Sequence, residues 1–177
     1  MSCLCFRGDV ERLLIHVCDN NRYVESVAIT RCPMPEAIYG FEWGLLNAWC
    51  LNRLILSCPK IRSLKFNEIH ICGDILYDNL GMLRKLTCLH LSHSTTLTPK
   101  QIKIIANKCC NLAQLWLSGE DHSCYEEDWE DAYCTLFQQR WRTLIHLQFD
   151  ASKLRDETFK VLKYMYVCVC VCMYVCM

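Results

Sequence analysis

The sequence predicts an α/β fold: a solenoid of about five strand–helix units, with parallel strands on a concave face and helices on a convex face. Three observations predict it. An apolar pattern at offsets 0, 3 and 5 recurs along the 177 residues. Helix-forming stretches separate its copies. One of those stretches carries a complete helix-start signal.

The pattern is legible in "CCNLAQLWL" (Cys109–Leu117), whose leucines match neither a helix stripe nor a plain alternating strand. It is found at Val24-Val27-Ile29, Ile61-Leu64-Phe66, Leu86-Leu89-Leu91, Leu112-Leu115-Leu117 and Leu144-Leu147-Phe149. Successive first positions are 37, 25, 26 and 32 residues apart. The two central intervals match the period of short strand–helix repeats, and the outer two are stretched by insertions. Offsets 0 and 3 plug the interior where a strand begins. Offset 5 points inward again because strand side chains alternate. One unit cannot bury these residues alone, whereas stacked neighbours form a continuous core.

Taken in chain order, a helical pattern near 9–18 is a partial unit at the N-terminus (1–22). The repeated region spans 23–163. Its first strand, 24–29, leads to a helix near 41–56, and the strand at 61–66 leads to one near 74–83. After the strand at 86–91, Thr98 is a good N-cap and Pro99 stands at the first helical position, where its missing N–H costs nothing. Gln101 completes a capping box, Leu97 can staple onto Ile102, and Ile102, Ile105 and Ala106 form the buried stripe. This strand–helix–strand passage is a right-handed crossover between parallel neighbours. A helix near 126–140 follows the strand at 112–117, and one near 156–163 follows the strand at 144–149. The final segment, 164–177, contains only Tyr, Met, Val and Cys. Alternating GTG and TGT codons would give its Val-Cys run, so it reads as a translated microsatellite, non-native or disordered. It is shorter than the roughly 18 apolar residues a membrane span needs.

The 19 basic and 19 acidic residues balance, which argues against a nucleic-acid partner. Charges at Arg7, Asp9, Glu11 and Arg12 interrupt any signal-peptide core. The 16 cysteines include no C-x-x-C pair. Many stand where small apolar residues belong, among them Cys50, Cys58, Cys88 and Cys109, and free cysteine packs as a small hydrophobe. A reduced chain in cytoplasm or nucleus is expected, with no membrane association and no cofactor.

"LTPKQIKIIANKCCNLAQLWLSG" (Leu97–Gly119) resembles the cysteine-containing subclass of leucine-rich repeat. "SCPKIRSLKF" (Ser57–Phe66) repeats the second half of that motif with its Cys-Pro, and "KLRDETFKVL" (Lys153–Leu162) resembles the first half. The resemblance covers about Tyr23 to Leu162 and is typical of F-box/leucine-rich-repeat proteins, the substrate receptors of cullin-type ubiquitin ligases. It implies a leucine-rich-repeat solenoid that binds a protein ligand on its concave face. The helical F-box that docks the ligase adaptor has no counterpart in this sequence, so the adaptor is an expected partner only if an F-box lies upstream.

Offsets 2 and 4 face outward onto the concave sheet. They are Ser26 and Ala28, Ser63 and Lys65, Cys88 and His90, Gln114 and Trp116, and His146 and Gln148. Ser63, Lys65, His90, Gln114, Trp116, His146 and Gln148 are the expected protein-binding residues. Trp116 is their centre, a large aromatic among polar neighbours; the plainer alternative is that it packs on those neighbours. His90 and His146 stand two strands apart, about 10 Å, too far to share one zinc ion. The acidic run Ser123–Cys134 is read as a capped helix start whose carboxylates favour the helix dipole; a cation site or a dock for a basic partner is the alternative. No phosphate loop, nucleophile elbow, metalloprotease helix or catalytic carboxylate pair occurs, so an enzyme is not expected. The leading expectation is therefore a protein-binding module resembling the substrate-recognition part of an F-box receptor. The alternatives are a truncated or mis-spliced product without its own function, and a structural scaffold outside ubiquitin chemistry.

Overall fold

In the computed structural model, the described residues are 15–17, 19–20, 22–30, 45–46, 48–67, 70–71, 74–92, 97–118, 126–140 and 142–149. The elements in chain order are β1 (Ser26–Thr30), β2 (Leu45–Leu46), α1 (Ala48–Ser57), β3 (Ser63–Asn67), β4 (His70–Ile71) and α2 (Ile75–Asn79). A 3-10 turn (Leu80–Met82) extends α2. There follow β5 (Cys88–Ser92), α3 (Pro99–Lys108), β6 (Gln114–Leu117), α4 (Glu126–Arg140) and β7 (His146–Gln148).

Strands β1, β3, β5, β6 and β7 form one parallel sheet, in the order of the chain. The fold is α/β, and the five segments expected to be adjacent parallel strands are so. Equivalent positions pair at every step: Val27 with Leu64, Leu64 with Leu89, Leu89 with Leu115, Leu115 with Leu147. A one-residue slip at any step would turn a row of buried leucines outward, so the apolar pattern itself holds the register.

The backbone restates that register at the base of the sheet. The carbonyl of Glu25 accepts from the N–H groups of Arg62 and Ser63, at 2.7 and 3.1 Å. Arg62 accepts in the same way from Thr87 and Cys88, Thr87 from Ala113 and Gln114, and Ala113 from Ile145 and His146. One residue earlier, the N–H groups of Ile61, Leu86 and Leu112 donate to the carbonyls of Cys58, Leu83 and Cys109. These turns bring each helix end down to the next strand. Cys58, Leu83 and Cys109 are all buried, which explains apolar residues there. Burial raises the Cys109 thiol to about 12, so it stays protonated.

The residues at offsets 0, 3 and 5 are buried in all five strands, save half-buried Val24, and share one core with the helices. From α1 come Leu51, Leu54 and Ile55; from α2 come Leu76 and Tyr77; from α3 come Ile102, Ile105 and Ala106. Helix α4 supplies Trp129, Ala132, Tyr133, Leu136 and Phe137, a stripe of the spacing an amphipathic helix requires. The helices therefore cover one side of the sheet.

Helix α3 begins as its start signal predicts. Thr98 is extended, its hydroxyl accepts from the Gln101 N–H at 3.4 Å, and its own N–H donates to the Gln101 side chain at 3.1 Å. The box also reaches outward, since Gln101 Nε2 donates to Asp74 at 3.1 Å and Lys100 pairs with the same carboxylate at 2.5 Å. Those two bonds, Lys100 first, hold the Asp74 carboxyl below its ordinary range.

One helix differs from expectation. The stretch read as helical near 41–56 contains the short strand β2, paired in parallel with β4, and α1 starts at Ala48. Gly44 is a poor helix former, and the backbone groups of Leu45 and Leu46 instead meet His70 and Ile71. Within the expected helix near 9–18, residues 15–17 are helical. The helix at 156–163, the tail at 164–177, Ser123 of the proposed acidic cap, and the motif at Lys153–Leu162 lie outside the described residues. Among the described residues no helix is long and apolar enough to cross a membrane.

Candidate functional site: a ring stack on the open face of the sheet

The other side of the sheet is built from the alternate residues. The register sets them in two rows across the strands. Ser26, Ser63, Cys88, Gln114 and His146 form one; Ala28, Lys65, His90, Trp116 and Gln148 form the other. Ser26 is exposed, Cys88 is buried, and the rest are half-buried. All seven residues expected to bind a partner therefore lie on one face.

Cys88 departs from the expected outward set, and Trp116 follows the plainer of its two readings. Cys88 is not an exposed member of the face: its short thiol sits between Ser63 and Gln114 in the row and retains 8 % exposure. Trp116 is not a free-standing ring either. It packs between the two histidines, His90 at 5.5 Å between ring centroids and nearly parallel, His146 at 4.6 Å and tilted. Strands about 4.8 Å apart place side chains of neighbouring strands at this stacking distance. His90 is directly opposite Trp116 in the ladder, whereas His146 reaches it diagonally from the other row, since Trp116 pairs with Gln148.

Lys65 closes the group. From β3 its Nζ reaches over the indole, 5.9 Å from the ring centroid, within the range of a cation–π contact. Burial first, and then the Lys65 charge, lower the pKa of His90. The imidazole is thus neutral at pH 7, and its Nε2 meets the Ser92 hydroxyl. The Nε2 of His146 is buried and has no hydrogen-bond partner among the described residues. Ser92 was not expected in the site. Its signal was available, because offset 6 points outward just as offsets 2 and 4 do.

The two histidines stand on opposite sides of the indole and share no ligand position. Among the described residues no cluster of three or more His, Cys, Asp or Glu is placed to hold a metal ion. The acidic run contributes to packing between helices: Asp131 on α4 pairs with Lys103 on α3 at 2.5 Å. A cleft of about 560 Å³ opens where the chain enters β1 and β3, lined by Asp19, Arg22, Tyr23, Leu56, Ser57, Pro59 and Lys60. Two of its charged groups are already engaged. Asp19 pairs with Arg53, and the Lys60 ammonium lies 4.0 Å from the Tyr23 ring centroid. The ring stack is the better candidate, because it presents an aromatic surface and a cation together in the middle of an open sheet. No protein-family model, curated protein or solved structure matches this chain, and what the face can recognise follows from its own residues.

Proposed function

We propose that the chain is a leucine-rich-repeat solenoid that binds another protein on the open, concave face of its sheet, and that it acts as a binding module and not as an enzyme. The constant register, the recurring backbone bonds at the base of each strand, and the buried 0/3/5 residues all support a repeat of this kind. The observation that carries the function is Trp116. It is a half-exposed tryptophan held by rings on both sides, so little conformational freedom is lost when a partner covers it. Buried tryptophans surrounded by polar groups are the usual anchors of protein interfaces. By the resemblance of its motifs, the module is similar to the substrate-recognition part of an F-box receptor, and adaptor binding would require an F-box upstream.

The test is a pulldown from a lysate of the source cells. Trp116→Ala should weaken recovery of a specific partner by about 2 kcal/mol or more. Leu56→Glu, on the exposed side of α1, should leave it unchanged. The opposite result would move the site to the helix side.

A further inference from the structure

We infer that the partner's docking segment is a carboxylate-rich peptide that lays an apolar or aromatic side chain over Trp116 and sets acidic groups against Lys65 and the flanking imidazoles. This rests on the docking-face reading and adds the chemistry of the occupant.

The two sides of the sheet handle charge differently. On the helix side opposite charges meet in pairs: Asp74 with Lys100, Asp78 with Lys108, Asp131 with Lys103. The outward rows between β3 and β7 hold no Asp or Glu among the described residues, and Lys65 has no carboxylate partner there. The neutral balance of the chain therefore conceals a face on which the one formal charge among the described residues is positive.

That charge selects among partners. An apolar or neutral surface seated on the stack would take the Lys65 ammonium out of water with nothing to pair it, which is strongly unfavourable. A basic segment would add repulsion. A carboxylate satisfies Lys65, and it can also recruit protons. Around His90, β3 presents Lys65, β6 presents the uncharged Trp116, and His146 stands beyond the indole. An acidic group added to this setting favours the imidazolium, which Lys65 and burial now disfavour. Affinity should consequently rise as pH falls from about 7.5 to 5.5, above the range where the peptide's own carboxyls take up protons.

The experiment is selection of a random dodecapeptide display library on the full chain, followed by synthesis of the enriched peptides. Their binding is measured by fluorescence anisotropy to wild type, Lys65→Glu and Trp116→Ala, with thermal melts as a folding control. Enriched peptides rich in Asp and Glu around an apolar or aromatic residue are expected. Both substitutions should weaken them at least about ten-fold, and added salt should weaken them further. Lys65→Glu keeps the test decisive if Trp116→Ala melts early. Peptides that depend on Trp116 but are neutral or basic would overturn the acidic partner and leave the docking face standing. Peptides indifferent to both substitutions, or no enrichment at all, would overturn both.

Discussion

Two chains of stacked rings run through this protein, one on each side of the sheet. Inside, Trp129, Tyr133 and Phe137 follow one another along α4 at 6.1 Å, and Phe149 from the strand side closes against Tyr133 at 4.9 Å. Outside, His90, Trp116 and His146 stack at 5.5 and 4.6 Å, with Lys65 above. The spacings are alike, although one derives from the turn of a helix and the other from the distance between strands. Water separates their roles. The inner rings are fully buried apart from 2 % at Phe149, and their apolar area contributes to folding. The outer rings are half-buried, interleaved with nitrogen atoms and a cation, and retain surface to offer. Ring geometry alone does not distinguish a core from an exposed stack; the solvent left around it does.

The sharpest way to break this comparison is to truncate one ring from each stack. Phe137→Ala should destabilise by about 3–5 kcal/mol, the usual effect of removing a buried aromatic. Chemical denaturation followed by circular dichroism measures it. The same assay applied to Trp116→Ala should show about 1–2 kcal/mol, since that ring contributes stacking and only part of its area. Equal losses would mean that the outer stack is a second core.

A neighbouring pair resolves the two faces within one strand. Leu115→Ala should lower stability by about 2–5 kcal/mol, while Gln114→Ala stays within about 0.5 kcal/mol. The residues are adjacent in β6 and face opposite ways. Comparable denaturation midpoints would contradict the assigned facing.

Smaller effects distinguish the nitrogen atoms. His146→Phe keeps a ring beside Trp116 and removes the unpartnered Nε2, so stability should hold or rise by up to about 1 kcal/mol. A clear loss would reveal a bond to that nitrogen. The mildest effect is that of pH on His90. Its folded pKa lies below the unfolded value of about 6.5, so the unfolded chain binds more protons between the two. Stability is therefore complete above 6.5 and falls as the pH drops from 6.5 through the lowered folded value. Melting wild type and His90→Gln in parallel from pH 7.5 to 5 should show the slope in wild type alone.

Much of this was legible in the residues. Alternation in "LTCLHL" or "LAQLWL" states which side chains enter the core, and the box at Thr98–Gln101 marks where α3 begins. Alternation says nothing about how much the neighbours will cover, which is why Cys88 and Trp116 are less open than their positions imply. Strands β2 and β4 are two residues each, too short to leave a period in the sequence. Ser92 extends the outward series by one more step, visible once the strand is known to run that far. The Lys65–Trp116 contact spans two strand spacings and depends on the length of the lysine stem, which no local pattern encodes.

Strand order that copies chain order also bears on how the molecule assembles. Every pairing within the five-stranded sheet joins strands that follow one another in that sheet's own order, so none is threaded past another of its strands. The connections differ little in closure entropy: lengthening one from 25 to 37 residues adds about 0.3 kcal/mol. The first pairing to form is therefore decided by what packs behind it, and helix α4, between β6 and β7 in the chain, contributes the longest apolar stripe. Assembly is then expected to start at the β6–β7 end of the sheet and to spread toward β1; a Leu136→Ala variant that folds at the wild-type rate and only unfolds faster would contradict that order.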